Sequence, residues 1–253
     1  MREANSNNSF IGLPLEIKNI IYAMVLGGNT IAIRDPNNKE MGFTRRKDNF
    51  KLPHVVLKRP FSSLIEPNTV SDSLNLPWSE CPAVRRFKIN FLFVCKSISE
   101  ESRLVMLSEN EWFFGAPGSL VSFASMLRSV STERGMQNTL AIRQVYLGLG
   151  WHSSQEWIEA FSYLGVRNLI NKLFVKIETL PHGLNCSGHY IATSDGDLEE
   201  DLVEAVSATF PLLRSLTIVV DSFESQEANS TLNMKVDQAI QWQKRLLGGK
   251  QYG

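Results

Sequence analysis

The chain has 253 residues, of which 43 % are hydrophobic, and its 26 basic side chains balance its 26 acidic ones. This length suits one large domain or a small module joined to a larger one, and the hydrophobic fraction excludes a mainly disordered chain. The zero net charge makes nucleic-acid binding through bulk electrostatics an unlikely function, because such domains usually carry a basic excess. The balance is uneven, since residues 1–60 hold ten basic against five acidic groups and residues 151–253 hold eight against thirteen.

Cysteine content and hydrophobic patterning predict a soluble intracellular protein, cytoplasmic or nuclear. Cys81, Cys95 and Cys186 are odd in number and form no C-x-x-C pair, which is typical of a reduced compartment. The first ten residues are polar and lack the apolar run of a signal peptide. Apolar stretches are interrupted well before the ~20 residues that a membrane helix needs, so we expect no membrane partner.

The first periodic element lies at residues 13–26. Its apolar residues recur at spacings of three and four, which predicts a helix with one apolar face. Pro14 suits the first turn, Glu16 suits the positive end of the helix dipole, and Gly27 with Gly28 predicts its end. The apolar positions are Leu13, Ile17, Ile20, Ile21, Met24 and Val25.

Residues 29–88 are predicted to form a long irregular insertion. Six prolines in this stretch exclude long regular elements, although short strands are expected at residues 30–34 and 54–57. A basic run within it favours a solvated linker, with weak nucleic-acid association as the alternative. The basic residues of this run are Arg45, Arg46, Lys47, Lys51, Lys58 and Arg59.

A second helix is predicted at residues 90–109, followed by an aromatic strand at 111–115 and a helix at 117–130. Cys95 lies on the predicted apolar stripe of the second helix and is interpreted as a small core residue. The whole stripe comprises Leu92, Val94, Cys95, Ile98, Ser102, Val105 and Met106.

The C-terminal half alternates strands and helices. Strands are predicted at residues 142–149, 172–178 and 214–220, and helices at 154–164, 197–209 and 231–247. This alternation implies parallel strands, and leucine-rich texture in the last strand segment suggests a degenerate solenoid-like sheet. The predicted fold is therefore α/β: an N-terminal helical cap with the insertion 29–88 (residues 10–130), then a mostly parallel, irregular, leucine-rich-like sheet with helices (131–253), integrated into one domain.

Catalytic signatures are missing from the sequence, which contains no P-loop, dinucleotide-binding glycine motif, nucleophile elbow or zincin motif. His182, Cys186 and His189 are close enough in sequence to suggest zinc or a thiol nucleophile. Four ligands are needed for structural zinc, however, so a solvated loop is the favoured interpretation. We therefore predict a protein that is not an enzyme and has no metal or cofactor.

Two further segments have a chemical and a structural interpretation. The acidic residues 195–201 lack the ligand order of a calcium loop, and Asp197 with Glu200 instead resembles the start of a helix. Trp151, His152 and Trp157 could line a groove, although core packing is favoured. The alternative function is accordingly a divergent enzyme or small-ligand-binding protein that uses Trp151 and His152 with the segment from His182 to His189.

Three segments resemble a family. LPLEIKNIIYAMVL resembles the F-box-like opening Leu-Pro-x-Glu-Ile-Arg-Asn-x-Ile-Tyr of filamentous-fungal proteins that include the two-EXR domain proteins, with Lys18 in place of the usual Arg. FLFVCKSISEESRLVMLSENEWFF resembles the second landmark of that family, a Leu-x-Val-Cys-Arg-x-Ile-x-x-Glu helix before a Tyr-x-x-Asn-x-Phe segment. IRQVYLGLG is similar to its Ile-Arg-x-Val-x-Leu strand.

The resemblance implies an interaction module without assigned catalytic activity. In F-box proteins the leading helix contributes to a unit that binds a Skp1-type adaptor, and a substrate-binding domain, often leucine-rich, follows. By this resemblance the protein is a non-enzymatic, F-box-like module for protein–protein interaction, in its strongest form a ubiquitin-ligase substrate adaptor. The candidate partner-binding residues are Leu13, Pro14, Glu16, Ile17, Ile20 and Ile21. In the alternative interpretation the apolar members of this set pack onto the second helix as a cap for the sheet.

Overall fold

The computed structural model describes residues 10–33, 54–57, 68–72, 95–128, 132–149, 154–165, 168–179, 200–222 and 228–248. The helices in these ranges are α1 (Leu15–Leu26), α2 (Lys96–Ser108), α3 (Pro117–Arg128), α4 (Thr132–Ala141), α5 (Ser154–Ser162), α6 (Glu200–Thr209) and α7 (Ala228–Gly248). The strands are β1 (Thr30–Ile33), β2 (His54–Leu57), β3 (Val70–Asp72), β4 (Glu111–Phe114), β5 (Gln144–Leu149), β6 (Lys172–Thr179) and β7 (Ser215–Ser222).

All seven strands belong to one sheet in the order β2-β1-β4-β5-β6-β7-β3. Six of them run parallel, and β2 pairs antiparallel with β1. The strands from β4 to β7 follow one another along the sheet in chain order. The prediction of an α/β fold with a mostly parallel sheet is therefore confirmed.

One face of the sheet forms the main hydrophobic core. Alternate residues of each strand point to this face, and the pairing register aligns them in rows across the sheet. One row is Ile31, Trp112, Val145, Leu173 and Leu216, and the next is Ile33, Phe114, Leu147, Val175 and Ile218. Buried side chains of α3, α5, α6 and α7 pack against these rows, so these helices cover the same face.

The opposite face carries an aromatic row. Phe113 and Tyr146 are adjacent with ring centroids 4.6 Å apart, and Tyr146 meets Phe174 edge to face at 6.2 Å. Tyr146 and Phe174 are buried, as is Thr217 in the same row. Both faces of the central strands are thus shielded from solvent, which explains why β5, β6 and β7 read as nearly continuous apolar runs.

The structure differs from the predictions in its N-terminal region. Strands β1 and β4 join the same sheet as β5, so this region does not form a cap of helices alone. Strand β3 was not predicted because three residues carry too little periodicity to show in a sequence. Helix α4 was also missed, since its sequence, TERGMQNTLA, is mostly polar and contains a glycine.

Most other boundaries move by a few residues. Helix α2 is described from Lys96, the predicted residues 90–94 lie outside the described ranges, and α3 is described to Arg128. Helix α6 is described from Glu200, and the predicted start at Asp197 lies outside the described residues. Within the described ranges α1 starts at Leu15 instead of residue 13, and α5 ends at Ser162 instead of residue 164. Such shifts are expected because helix ends depend on capping geometry more than on periodicity.

Candidate interaction face on the first helix

The ends of α1 follow from Pro14 and from two glycines. Pro14 is the N-cap residue, in an extended conformation that leads into the first turn. At the other end the N–H of Gly27 donates to Ala23 O at 2.9 Å, and a Cβ at Gly27 would lie 2.6 Å from that oxygen and 2.8 Å from Glu109 Cβ. Gly28 has a φ of 70°, which favours glycine. The predicted stop at this pair is confirmed.

The buried side of α1 is not its apolar stripe. Lys18, Tyr22 and Leu26, spaced by four residues, are the buried residues of the helix, and α1 packs against α2. The alternative in which the apolar residues pack onto the second helix is wrong, because Ile17 and Ile20 are exposed. Tyr22 and the aliphatic stem of lysine can fill a buried position while their polar ends find partners.

A carboxylate on α2 receives the polar ends of this buried side. Lys18 Nζ lies 3.2 Å from Glu101 Oε2, and the Tyr22 hydroxyl donates to the same oxygen at 3.0 Å. Ser97 donates its hydroxyl to Glu101 Oε1 at 3.0 Å. These contacts join α1 to α2 across about 80 residues of sequence.

The Glu101 contacts shift two pKa values in opposite directions. The hydrogen bonds from Ser97 and Tyr22, together with the contact to Lys18, hold the pKa of Glu101 below its ordinary value. Burial and the neighbouring Glu101 carboxylate raise the pKa of Tyr22 to about 12. Tyr22 therefore remains a neutral donor at any physiological pH, and Glu101 remains a charged acceptor.

Two asparagines join the helix–strand junctions. Asn110 is fully buried, and its Nδ2 donates to Met106 O at 2.6 Å and to Leu26 O at 2.8 Å. Its Oδ1 accepts from the backbone N–H of Asn29 at 2.9 Å and from Asn29 Nδ2 at 3.1 Å. The asparagines thus satisfy backbone groups that the ends of α1 and α2 leave open.

The two junctions belong to equivalent units. We call α1 with β1 the first unit and α2 with β4 the second. In the sheet Thr30 pairs with Glu111, an offset of 81 residues. The same offset relates the N-cap residues Pro14 and Cys95, and also Asn29 and Asn110. Both units therefore share a helix start, a turn asparagine and a strand register.

The two units also share a direction. Lys18 near the start of α1 contacts Glu101 near the start of α2, while Leu26 at the end of α1 contacts Asn110 just after the end of α2. The helices therefore run parallel, as their strands do.

The side of α1 that faces away from α2 is exposed and apolar. Met24 is 80 % exposed, Ile20 57 % and Ile17 44 %, and these three positions form one helical stripe. We call this stripe the α1 outer face. Leu13 and Ile21 flank it half-buried, and Ile11, Leu15 and Val25 add further exposed apolar surface nearby along the chain.

The predicted partner-binding residues therefore fall into two groups. Pro14, Glu16, Ile17 and Ile20 are exposed, whereas Leu13 and Ile21 are half-buried. Glu16 is the only charged residue of α1 that is exposed. Monomeric proteins rarely expose contiguous apolar surface of more than a few hundred Å², and larger patches commonly mark interaction sites. An exposed apolar stripe of this kind suits a protein contact.

Cys95 does not occupy the core position predicted for it. It is the half-buried N-cap of α2, and its sulfur accepts the Ile98 N–H at 3.5 Å. The buried residues of α2 are Ile98, Ser102 and Leu107. The periodic pattern predicted a helix from residue 90, whereas Cys95 has an extended backbone and precedes the first helical turn.

The other candidate sites lie mostly outside the described residues. This applies to the candidate metal or thiol segment (His182, Cys186, His189), to Trp151 and His152, and to the basic run, which comprises Arg45, Arg46, Lys47, Lys51, Lys58 and Arg59. Trp157 is described, and it is buried in the core as predicted. No group of three metal-ligating side chains occurs among the described residues. Of the helices in the described ranges, none combines the length and apolarity needed to cross a membrane.

Comparison with known proteins adds no relative. No family model, no curated protein and no solved structure matches this chain.

Proposed function

We propose that this chain is a non-enzymatic interaction protein that binds a Skp1-type adaptor through the α1 outer face. The observation that carries the proposal is the exposure of Ile17, Ile20 and Met24 on one side of a helix whose other side is fixed to α2. The resemblance of the segment containing this helix to an F-box-like opening supplies the adaptor as the partner. In this role the protein acts within a ubiquitin ligase as a substrate adaptor.

Rigid attachment of α1 supports such a role. The contacts of Lys18 and Tyr22 with Glu101, and of Leu26 with Asn110, fix the helix near both of its ends. A helix held in this way loses little conformational entropy when a partner binds its free side. Affinity can then come from the burial of apolar side chains, at roughly 25 cal/mol per Å².

The sheet is the part that we assign to substrate binding. Strands β4, β5, β6 and β7 follow in chain order, and helices cover one face of the sheet. This order is the one found in solenoid-like proteins, so it supports the leucine-rich-like interpretation. Because a stacked sheet is rigid, it suits the presentation of a binding surface at a fixed distance from α1.

The test is a binding measurement between the purified full chain and a purified Skp1-type adaptor. Isothermal titration calorimetry is expected to give a one-to-one complex. The Ile20→Glu/Met24→Glu double variant should weaken that complex at least 100-fold, since it brings two carboxylates into an apolar contact. The matched control is Met136→Glu, which changes an exposed methionine on α4 and should leave the affinity within twofold.

Circular dichroism and thermal unfolding establish that each variant is folded. If the wild-type protein is folded and adaptor binding is undetectable, the proposal is wrong. If the double variant and the Met136→Glu variant bind equally well, the α1 outer face is not the site.

A further inference from the structure

The equivalence of the two units identifies which surface of α2 corresponds to the α1 outer face. Subtracting the 81-residue offset from positions on α2 gives the corresponding positions on α1. Glu101 and Ser97, which interact on the side of α2 facing α1, correspond to Ile20 and Glu16. Both of these α1 residues are exposed. The α1 outer face is therefore the counterpart of the α2 surface to which α1 itself is attached.

The contact between α1 and α2 then shows how a further helix could pack on the α1 outer face. In that contact two residues of the incoming helix, Lys18 and Tyr22, converge on one residue of the receiving helix, Glu101. The incoming residues are four positions apart, and the incoming helix runs parallel to the receiving one. An additional helix on α1 in the same geometry would direct its own pair of residues, four positions apart, at Ile20.

The chemistry of the receiving residue differs between the two positions. Glu101 is a carboxylate, and it accepts hydrogen bonds from a tyrosine and a lysine. Ile20 accepts none, so a lysine or tyrosine directed at it would lose hydration without finding a partner. The incoming helix must instead carry apolar side chains at both positions. Glu16 lies one turn before Ile20, where it can pair with a basic residue at the edge of the contact.

We infer that the partner binds the α1 outer face with an amphipathic helix that lies parallel to α1, as α1 lies on α2, and that directs two apolar residues spaced i, i+4 at Ile20. This inference rests on the proposed role of α1 as a docking helix. It adds the secondary structure, direction and side-chain chemistry of the partner segment. The α1–α2 contact within the chain supplies the geometry, and the absence of charge on the stripe formed by Ile17, Ile20 and Met24 supplies the chemistry.

The experiment uses two synthetic peptides as probes of the full chain. The first has the sequence of residues 10–29, with Lys18 and Tyr22 retained. The second carries Lys18→Leu and Tyr22→Leu and is apolar at both positions. Fluorescence anisotropy should show that the wild-type chain binds the apolar peptide at least tenfold more tightly than the unmodified peptide. The Ile20→Glu variant copies Glu101 onto α1, and it should reverse this preference. The Met136→Glu variant should retain the wild-type preference.

Direction is tested with a nitroxide label at the N-terminus of the apolar peptide. Parallel binding should broaden the amide signals near Leu15 and spare those near Leu26. Equal affinity for the two peptides, failure of Ile20→Glu to reverse the preference, or broadening near Leu26 would each overturn the inference. A dimer of the wild-type chain in sedimentation equilibrium, if Ile20→Glu abolishes it, would also overturn it by showing that a second copy occupies the face.

The outcomes separate this inference from the proposed function. In one outcome the adaptor binds, the Ile20→Glu/Met24→Glu variant abolishes this binding, and the apolar peptide does not inhibit it. The proposed function then stands, and the parallel geometry is overturned. In the opposite outcome the peptide binds with the expected preference and direction, but the protein does not bind the adaptor. The parallel geometry then stands, and the adaptor is not the partner.

Discussion

The first and second units have the same layout and opposite outer chemistry. In each, a helix leads through a turn of two or three residues that ends in an asparagine into a parallel strand of the sheet. On α2 the outward position is Glu101, and residues of the same chain cover it. On α1 the equivalent position is Ile20, and it is exposed. The hydrogen bonds that Lys18 and Tyr22 donate to Glu101 fix the position of α1 on α2, whereas an apolar face can receive a separate molecule.

The largest effect is expected where the units are joined by asparagines. Asn110→Ala removes the donor to two backbone carbonyls and the acceptor of the Asn29 N–H in a fully buried site. We expect a loss of about 2–4 kcal/mol in the free energy of unfolding, because buried polar groups lose their partners. Asn29→Ala, at a half-buried site, should cost about 1 kcal/mol. Urea denaturation measures both, and equal losses would contradict the larger contribution that we expect from the fully buried Asn110.

The glycine that ends α1 gives the next largest effect. In Gly27→Ala the new Cβ would meet Ala23 O and Glu109 Cβ at distances below 3 Å, so α1 must move relative to α2. We expect a destabilisation of about 1–3 kcal/mol, the usual cost of overpacking. The control is Gly248→Ala, where a Cβ has open space. The conclusion fails if thermal unfolding gives the same midpoint for both variants.

A smaller, pH-dependent effect is expected at Glu101. Its folded-state pKa lies below the ordinary value of 4.5, so its stabilising contribution is fully present above that value and is lost as pH falls through the lower folded-state pKa. Glu101→Gln should therefore be less stable than wild type near pH ~7. It should approach the wild type in stability once the pH falls below the folded-state pKa of Glu101. Hydrogen exchange of the α1 amides reports the difference. A gap between the proteins that persists unchanged in acid would show that the charge of Glu101 is not its source.

The smallest effect on stability is expected on the α1 outer face. Ile20→Ser and Met24→Ser change exposed side chains, so unfolding free energies should stay within about 0.5 kcal/mol of wild type. The matched change on α2 is Glu101→Ser, at the equivalent position, which should destabilise the protein because Lys18 and Tyr22 lose their acceptor. A strong destabilisation by Ile20→Ser would mean that the face is part of the core, and the contrast between the two units would disappear.

The sequence predicts the presence of α1 but not the side on which it packs. Apolar periodicity normally indicates the buried face, yet here Lys18 and Tyr22 are buried while Ile17 and Ile20 are exposed. The reason lies 79 and 83 residues away at Glu101, a distance over which a single sequence gives no pairing signal. Strands β5, β6 and β7 were predictable because both of their faces are shielded, which gives each strand a nearly continuous run of apolar residues in the sequence.

The equivalence of the units had a weak signal in the sequence. A leucine followed three residues later by an asparagine precedes a strand twice, first at Leu26 and Asn29 and again at Leu107 and Asn110. Few other positions agree between the two units, which is why no repeat was predicted. The strand register of the structure shows that the two units correspond, and it identifies Glu101 as the counterpart of Ile20.

The positions of β2 and β3 have a consequence for how the chain folds. Only the twelve residues from 58 to 69 separate these strands in sequence, yet the strands lie at opposite edges of a seven-stranded sheet. Strand β2 pairs with β1, which lies close to it in sequence, whereas β3 cannot find its neighbour until distant segments have folded, since it pairs with β7 almost 150 residues later. Such non-local pairing slows folding. We therefore expect β3 to join the sheet late, after β7 has formed, so that residues resembling a dispensable insertion complete one edge of the sheet.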